Sequence, residues 1–255
     1  MIRLCIRACV VLLCLIGAAS AHADDFKGFY VGVNLGGVHG NSDASTSTVF
    51  SPTGYFATTS VPAIATTGAQ KLSANGFTGG GQAGINLQHN SLVFGLETDF
   101  GGMNLSQKQS ATATYPCCAP TGFTVTQFVG TSWLFTLRPR VGFTAGPVMV
   151  YGTGGLALSN VEYTALFTDT FATAEENGGK TSTQTGWAAG GGAEIKTGKR
   201  WSVKGEFLHA DFGSLSNTST NLTAFTPRIA FPTNVFTHKA NLTANIYRFG
   251  FNYRF

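Results

Sequence analysis

The segment 240–255, ANLTANIYRFGFNYRF, decides how the rest of the chain is read. With a period of two, Tyr247, Phe249, Phe251, Tyr253 and Phe255 share one face, while Arg248, Gly250, Asn252 and Arg254 share the other. That is the alternation of a strand with a single apolar side. Five aromatics in a row need a partner. In a soluble sheet they would pack on a core; in a membrane barrel they would meet hydrocarbon, and the arginines would point into the lumen.

Working outward, seven further segments alternate in the same way: 29–38, 72–88, 92–105, 131–143, 148–159, 186–196 and 201–212. Their connections alternate too. Residues 41–70, 106–130, about 160–184 and 213–239 form long Ser- and Thr-rich stretches, whereas 89–91, 144–147 and 197–200 are short. Connections in ordinary domains run to about 4–6 residues, so four structureless loops of this length would count against a soluble fold. Outer-membrane barrels combine short periplasmic turns with long extracellular loops and an even strand number. The segments also reach the ~9–11 residues that cross a bilayer at a tilt. The expected fold is all-β: an eight-stranded antiparallel transmembrane β-barrel, an up-and-down meander.

Composition agrees. Charged residues make up 11% of the chain, against about 25% in globular domains. Arg3 and Arg7, the apolar run 8–19 and Ala21-His22-Ala23 ahead of Asp24 read as a secretory signal peptide, residues 1–23, cleaved between Ala23 and Asp24. Residues 24–255 are then the barrel. Without the signal, 14 basic and 12 acidic residues leave a net +2, a balance that argues against nucleic acid or any other polyanionic partner.

Glu97, Asp99, Arg138, Arg140, Glu194, Lys204, Glu206 and Arg248 all fall opposite the aromatic face, with both signs on neighbouring strands. Eight strands leave an interior just wide enough for side chains to fill, and enclosed charges demand partners. The expected lumen therefore holds Glu97 and Asp99 beside Arg138 and Arg140, with Glu206 between Lys204 and Arg248. Pro139 lacks an amide donor and predicts a bulge or an early end to pairing. Gly32, Gly80, Gly84 and Gly250 would leave gaps that keep a narrow channel in play.

The words FKGFYVGVNLGG at 26–37, VYGTGGLAL at 150–158, WAAGGGAEI at 187–195, WSVKGEFLHADFG at 201–213 and YRFGFNYRF at 247–255 carry a resemblance. The chain is similar to small outer-membrane β-barrels of Gram-negative bacteria, described as porin-family or outer-membrane immunogenic surface proteins, with OmpA-type architecture. Arg248, Gly250, Tyr253 and Phe255 resemble the terminal signal read by the barrel-assembly machinery of that class. The resemblance implies Sec export, residence in outer-membrane lipid, and an envelope-stabilising role as a surface antigen or adhesin that meets a host surface or extracellular ligand through its loops. A narrow channel for ions or small solutes is the alternative, and an enzyme at the outer rim comes third.

Little catalytic chemistry is legible. His209 and Asp211 share a face, with Ser214 nearby, and are the best rim candidates. His39, His89 and His238 lie on different connections without metal-ligand spacing. The glycine triplets 79–81 and 190–192 sit inside strands and lack the helix and lysine of a phosphate loop. No enzyme activity and no cofactor are expected. Adjacent Cys117 and Cys118, alone in the mature chain, are compatible with a vicinal disulfide, a cross-link to another chain or two thiols.

Overall fold

The computed structural model describes residues 26–255; the expected signal segment and its Ala23–Asp24 cleavage site lie outside them. Seven long strands follow in order: β1 Gly28–Thr48, β2 Gln70–His89, β3 Leu92–Thr114, β4 Gly122–Ala145, β5 Val148–Asp169, β6 Glu175–Lys196 and β7 Trp201–Ser219. A two-residue ribbon, β8 Thr223–Ala224 and β9 Ile229–Ala230, precedes the last long strand, β10 Phe236–Arg254, and helix α1 spans Ser60–Gly68 between β1 and β2. Each long strand pairs antiparallel with its neighbour, and β10 closes the ring on β1. Among the described residues no helix is long and apolar enough to cross a membrane.

The ring is staggered. Stepping through paired residues from Val31 to Ala83, Thr98, Leu137, Leu156, Trp187, Asp211 and Thr243 returns to β1 at Asn41, ten residues further along. With a rise of ~3.3 Å and a strand spacing of ~4.8 Å, that stagger tilts eight strands by roughly 40°. A 22-residue strand such as β5 then rises about 55 Å, twice the ~25 Å apolar band of an outer-membrane barrel.

Strand chemistry shows where the halves divide. In the turn-side half, Phe29, Val31, Val33 and Leu35 of β1, Phe249 and Phe251 of β10 and Phe255 just after it are exposed, while Tyr30, Asn34, Arg248 and Asn252 are buried. Further up the same strands Val38, Ala44, Ala240, Leu242, Ala244 and Ile246 are buried, and Asn41, Asp43, Lys239 and Asn241 face out. One half of the wall is apolar outside and polar inside, and the other half is the reverse, as in a soluble barrel. The apolar interior of the upper half includes Leu72, Met103, Val129, Val161, Tyr163, Leu208 and Phe212. Above it the strand ends, the connections and α1 together form a second core around Phe56, Ile64, Phe123, Phe167 and Phe236.

The strands therefore run further than the sequence placed them, and most of the expected loops 106–130 and 160–184 is strand, with shorter extensions into 41–70 and 213–239. Connections shrink to residues 49–69, 115–121, 170–174 and 220–235 at one end, still alternating with short turns at the other. Two bulges hid the extensions. Between Gly130 and Leu134 the β4–β5 register shifts, and buried positions pass from even (Leu134, Thr136, Arg138) to odd (Val129, Val125, Phe123). In β7 the phase likewise slips after Phe212, at Gly213, whose φ of +68° lies in the left-handed region that favours glycine.

Pro139 interrupts the β4–β5 ladder locally, at Arg138 and Pro139, but causes neither the bulge nor the early end of pairing that was expected. It pairs with Leu96 on one side; on the other, the register is the same at Leu137↔Leu156 and Arg140↔Thr153. The Thr153 hydroxyl donates to the Pro139 carbonyl at 2.9 Å, so the ladder loses one donor without a bulge.

Candidate functional site: a charged lumen and a loop cap

The eight expected lumen charges converge, and their partners come from across the barrel as well as from adjacent strands. Glu97 and Arg138 are directly paired in the β3–β4 ladder and meet at 2.9 Å; Glu206 and Arg248 are paired between β7 and β10 and meet at 2.7 Å. Arg138 also reaches Asp99 at 3.0 Å and, across the lumen, Glu206 at 3.3 Å. Asp99 takes Arg248 at 2.9 Å. Lys204 stands opposite Glu194 in the ladder yet bonds Glu97 at 2.7 Å, with Glu206 at 3.9 Å. Glu194 is held instead by Arg140 at 3.2 Å and Arg254 at 3.1 Å.

Arg254 was on the polar face of the last strand but absent from the expected set; its even spacing from Arg248 was the available signal. Tyr30 and Tyr151 also fall on the polar face by alternation but were absent from the expected set, which was confined to charged side chains. Their hydroxyls donate to Glu97 at 2.7 Å and Glu206 at 2.9 Å, and the Arg140 guanidinium lies over both rings, at 4.7 and 5.2 Å. Asn86 accepts from Arg140 Nε at 3.0 Å. Every long strand contributes, so the network ties the wall together across its diameter.

The glycine gaps are occupied. A Cβ at Gly84 would stand 2.3 Å from the Tyr30 hydroxyl, one at Gly32 2.2 Å from Asn252, and one at Gly250 2.9 Å from Gln82 and Lys204. At Gly80 the neighbouring strand's backbone lies 2.3 Å from that position. Small residues here admit large neighbours, which is how a narrow interior fills.

At the upper edge of the apolar belt the rim candidates separate. His209 Nδ1 pairs with Asn245 Oδ1 at 2.8 Å, and Asp211 accepts the Gly213 amide at 2.8 Å. Ser214 is exposed beyond the bulge. His39 pairs with Asn75, His89 is exposed at the end of β2, and His238 is buried in β10 beside Glu176 at 3.1 Å. Among the described residues no cluster of three metal-ligating side chains forms. Of the last-strand signal residues, Arg248 and Gly250 face the lumen, while Phe255 is exposed beside Phe29 at 5.7 Å between ring centres.

The cap is organised on Asp169. Tyr55 and Tyr115 donate to its Oδ2 at 2.5 and 3.0 Å, and its Oδ1 accepts the amides of Ala172 and Ala174. Cys117 and Cys118 are joined to each other on the rim of this cluster. Burial, reinforced by the Asp169 carboxylate, pushes both phenols above the usual tyrosine range. Folding thus favours the neutral phenols, a contribution complete below the ordinary tyrosine value of about 10 and lost as pH rises beyond it. In an alkaline absorbance titration these two are expected to ionise after exposed tyrosines, with cap unfolding accompanying the step.

A closed ring with an apolar belt outside and an ion-paired polar lumen defines a transmembrane β-barrel. Comparison with known proteins places it. The outer membrane protein beta-barrel domain model matches residues 8–255, and the chain belongs to that family; it is an outer-membrane protein. It is 37% identical over 148 residues to the 31 kDa outer-membrane immunogenic proteins of Brucella melitensis and Brucella suis, covering 57% of this chain and 58% of theirs. With the 22 kDa outer membrane protein of Rhizobium leguminosarum it shares 25% over 141 residues, 54% of each. The matched stretch thus spans a little over half the length of these relatives. Among solved structures, Neisserial surface protein A aligns at 14% identity, 89% and 97% coverage and a TM-score of 0.36; the protease OmpT of Escherichia coli aligns at 9%, 94% and 100%, and 0.43.

Proposed function

We propose that the protein is a non-conducting, non-enzymatic surface protein that braces the outer membrane and presents its cap outside the cell as an antigen or contact surface. One observation carries this reading: the lumen is filled at successive levels, by the charge network, the apolar core above it and the aromatic cap. Wide aqueous channels need more strands. The name of the Brucella relatives, immunogenic outer-membrane protein, supports surface exposure. In this reading the belt contacts outer-membrane lipid, and Arg248, Gly250, Tyr253 and Phe255 serve the assembly machinery. No nucleic acid or cofactor takes part.

Single-channel recording of the refolded protein in a planar bilayer tests it. The wild type is expected to stay silent, whereas Glu97→Ala with Arg138→Ala opens a leak. Steady wild-type openings would put the narrow channel first. Loss of a hydrolytic activity on His209→Ala would put the rim enzyme first.

A further inference from the structure

The cap contains a cavity of about 130 Å³ lined by Tyr55, Phe56, Ser60, Tyr115, Phe171 and the Cys117–Cys118 disulfide. We propose that it binds an aromatic side chain presented by a polypeptide outside the cell. This rests on the reading of the protein as a surface protein and adds the class of partner.

Size comes first. A buried apolar cavity of ~150 Å³ holds one benzene ring, so this one admits a single six-membered ring and little more. Chemistry selects which ring. A sugar needs hydrogen-bond partners around its edge, but the polar side chains here are engaged: both tyrosine hydroxyls donate to Asp169, and Ser60 Oγ faces Cys117 Sγ at 3.7 Å. Ring faces and sulfur remain, and they suit an aromatic guest.

The surroundings select a polypeptide over a free solute. Tyr55 is the hub of an aromatic cluster, with Phe56 at 5.1 Å, Phe231 at 5.3 Å, Phe225 at 6.1 Å and Phe171 at 6.3 Å between ring centres. Phe171 is 53% exposed and Phe225 41%. A lone ring in the cavity would leave these uncovered, while a chain crossing the mouth would bury them around an inserted anchor, the anatomy of an interface hot spot. Phe225 is held in place at a cost: its φ is +70°, rare for a bulky residue, and its amide donates to Ala172 at 2.7 Å.

The test uses the full barrel in lipid nanodiscs and an acetylated, amidated Gly-Gly-Phe-Gly-Gly peptide carrying 4-fluorophenylalanine. Fluorine line broadening beyond that in empty nanodiscs reports binding. Broadening with the wild type is expected, reduced at least fivefold by Ala57→Trp, which fills the cavity from an exposed position, and by Phe171→Ala, which removes a wall. Heat-modified gel migration verifies that both variants are folded. Equal broadening in Ala57→Trp, or none in the wild type, overturns the proposal. Displacement by methyl glucoside would assign the site to sugars, and benzyl alcohol binding as tightly as the peptide would assign it to free aromatic solutes; either overturns the polypeptide partner. A silent barrel that ignores the peptide loses only the pocket, whereas a conducting barrel overturns the surface-protein reading whatever the peptide does.

Discussion

Arg138→Met is expected to destabilise the barrel by about 3–5 kcal/mol, the cost of breaking a buried ion pair from one side. Arg138 is fully buried and serves Glu97, Asp99 and Glu206 together, so its loss leaves three carboxylates short of a partner in a filled lumen. Urea unfolding of the protein refolded into vesicles measures this as a lower midpoint with an unchanged slope. Adding Glu206→Gln removes one stranded charge and is expected to recover part of the loss, making the pair strongly non-additive. A shift below about 1 kcal/mol would mean that water reaches these carboxylates. That result would also weaken the closed-lumen reading before any conductance is recorded.

Phe167→Ala is expected to cost a further class of stability, about 3–5 kcal/mol confined to the half of the barrel above the belt. Phe167 is completely buried, with Phe56 at 5.5 Å, Phe123 at 5.7 Å and Phe236 at 5.4 Å between ring centres. Hydrogen exchange is the measurement, because it resolves opening of one part of a fold from global unfolding. In the wild type the amides of residues 161–167 and 123–129 should be protected, since both runs lie in the β4–β5 ladder. In the variant they should exchange faster while those of residues 203–207 do not change. If these amides exchange within seconds in the wild type, the upper half is loop and not strand.

The turn-side half was legible because membrane and lumen impose opposite chemistries on alternate residues. Any run such as Phe29, Val31, Val33 and Leu35 against Tyr30 and Asn34 announces itself. The upper half was not. Beyond the belt, water replaces the membrane outside and an apolar core replaces the charged lumen, so the same phase carries the inverse content: Ala240, Leu242, Ala244 and Ile246 in, Lys239, Asn241 and Asn245 out. Small residues weaken that contrast, and the slips at Gly130–Leu134 and Gly213 reverse its phase, which is why segments such as 122–130 and 213–219 read as loop. The Ser- and Thr-rich character that suggested loops is the hydrated outer wall of a sheet.

The charge network divides in the same way. Alternation by itself determined which side chains point inward, and ladder neighbours such as Glu97 with Arg138 and Glu206 with Arg248 follow from antiparallel pairing. Sequence also determined the strand count, the closed meander and the mixed signs of the interior. Only the tertiary structure decided that Lys204 passes over its ladder partner Glu194 to bond Glu97, that Arg254 takes Glu194, and that Tyr30 and Tyr151 turn their hydroxyls onto carboxylates. The stagger of the ring sets which strands face each other across the lumen and at what height. That is a property of the closed barrel and of no single strand, so partners across the diameter cannot be read from any one alternation.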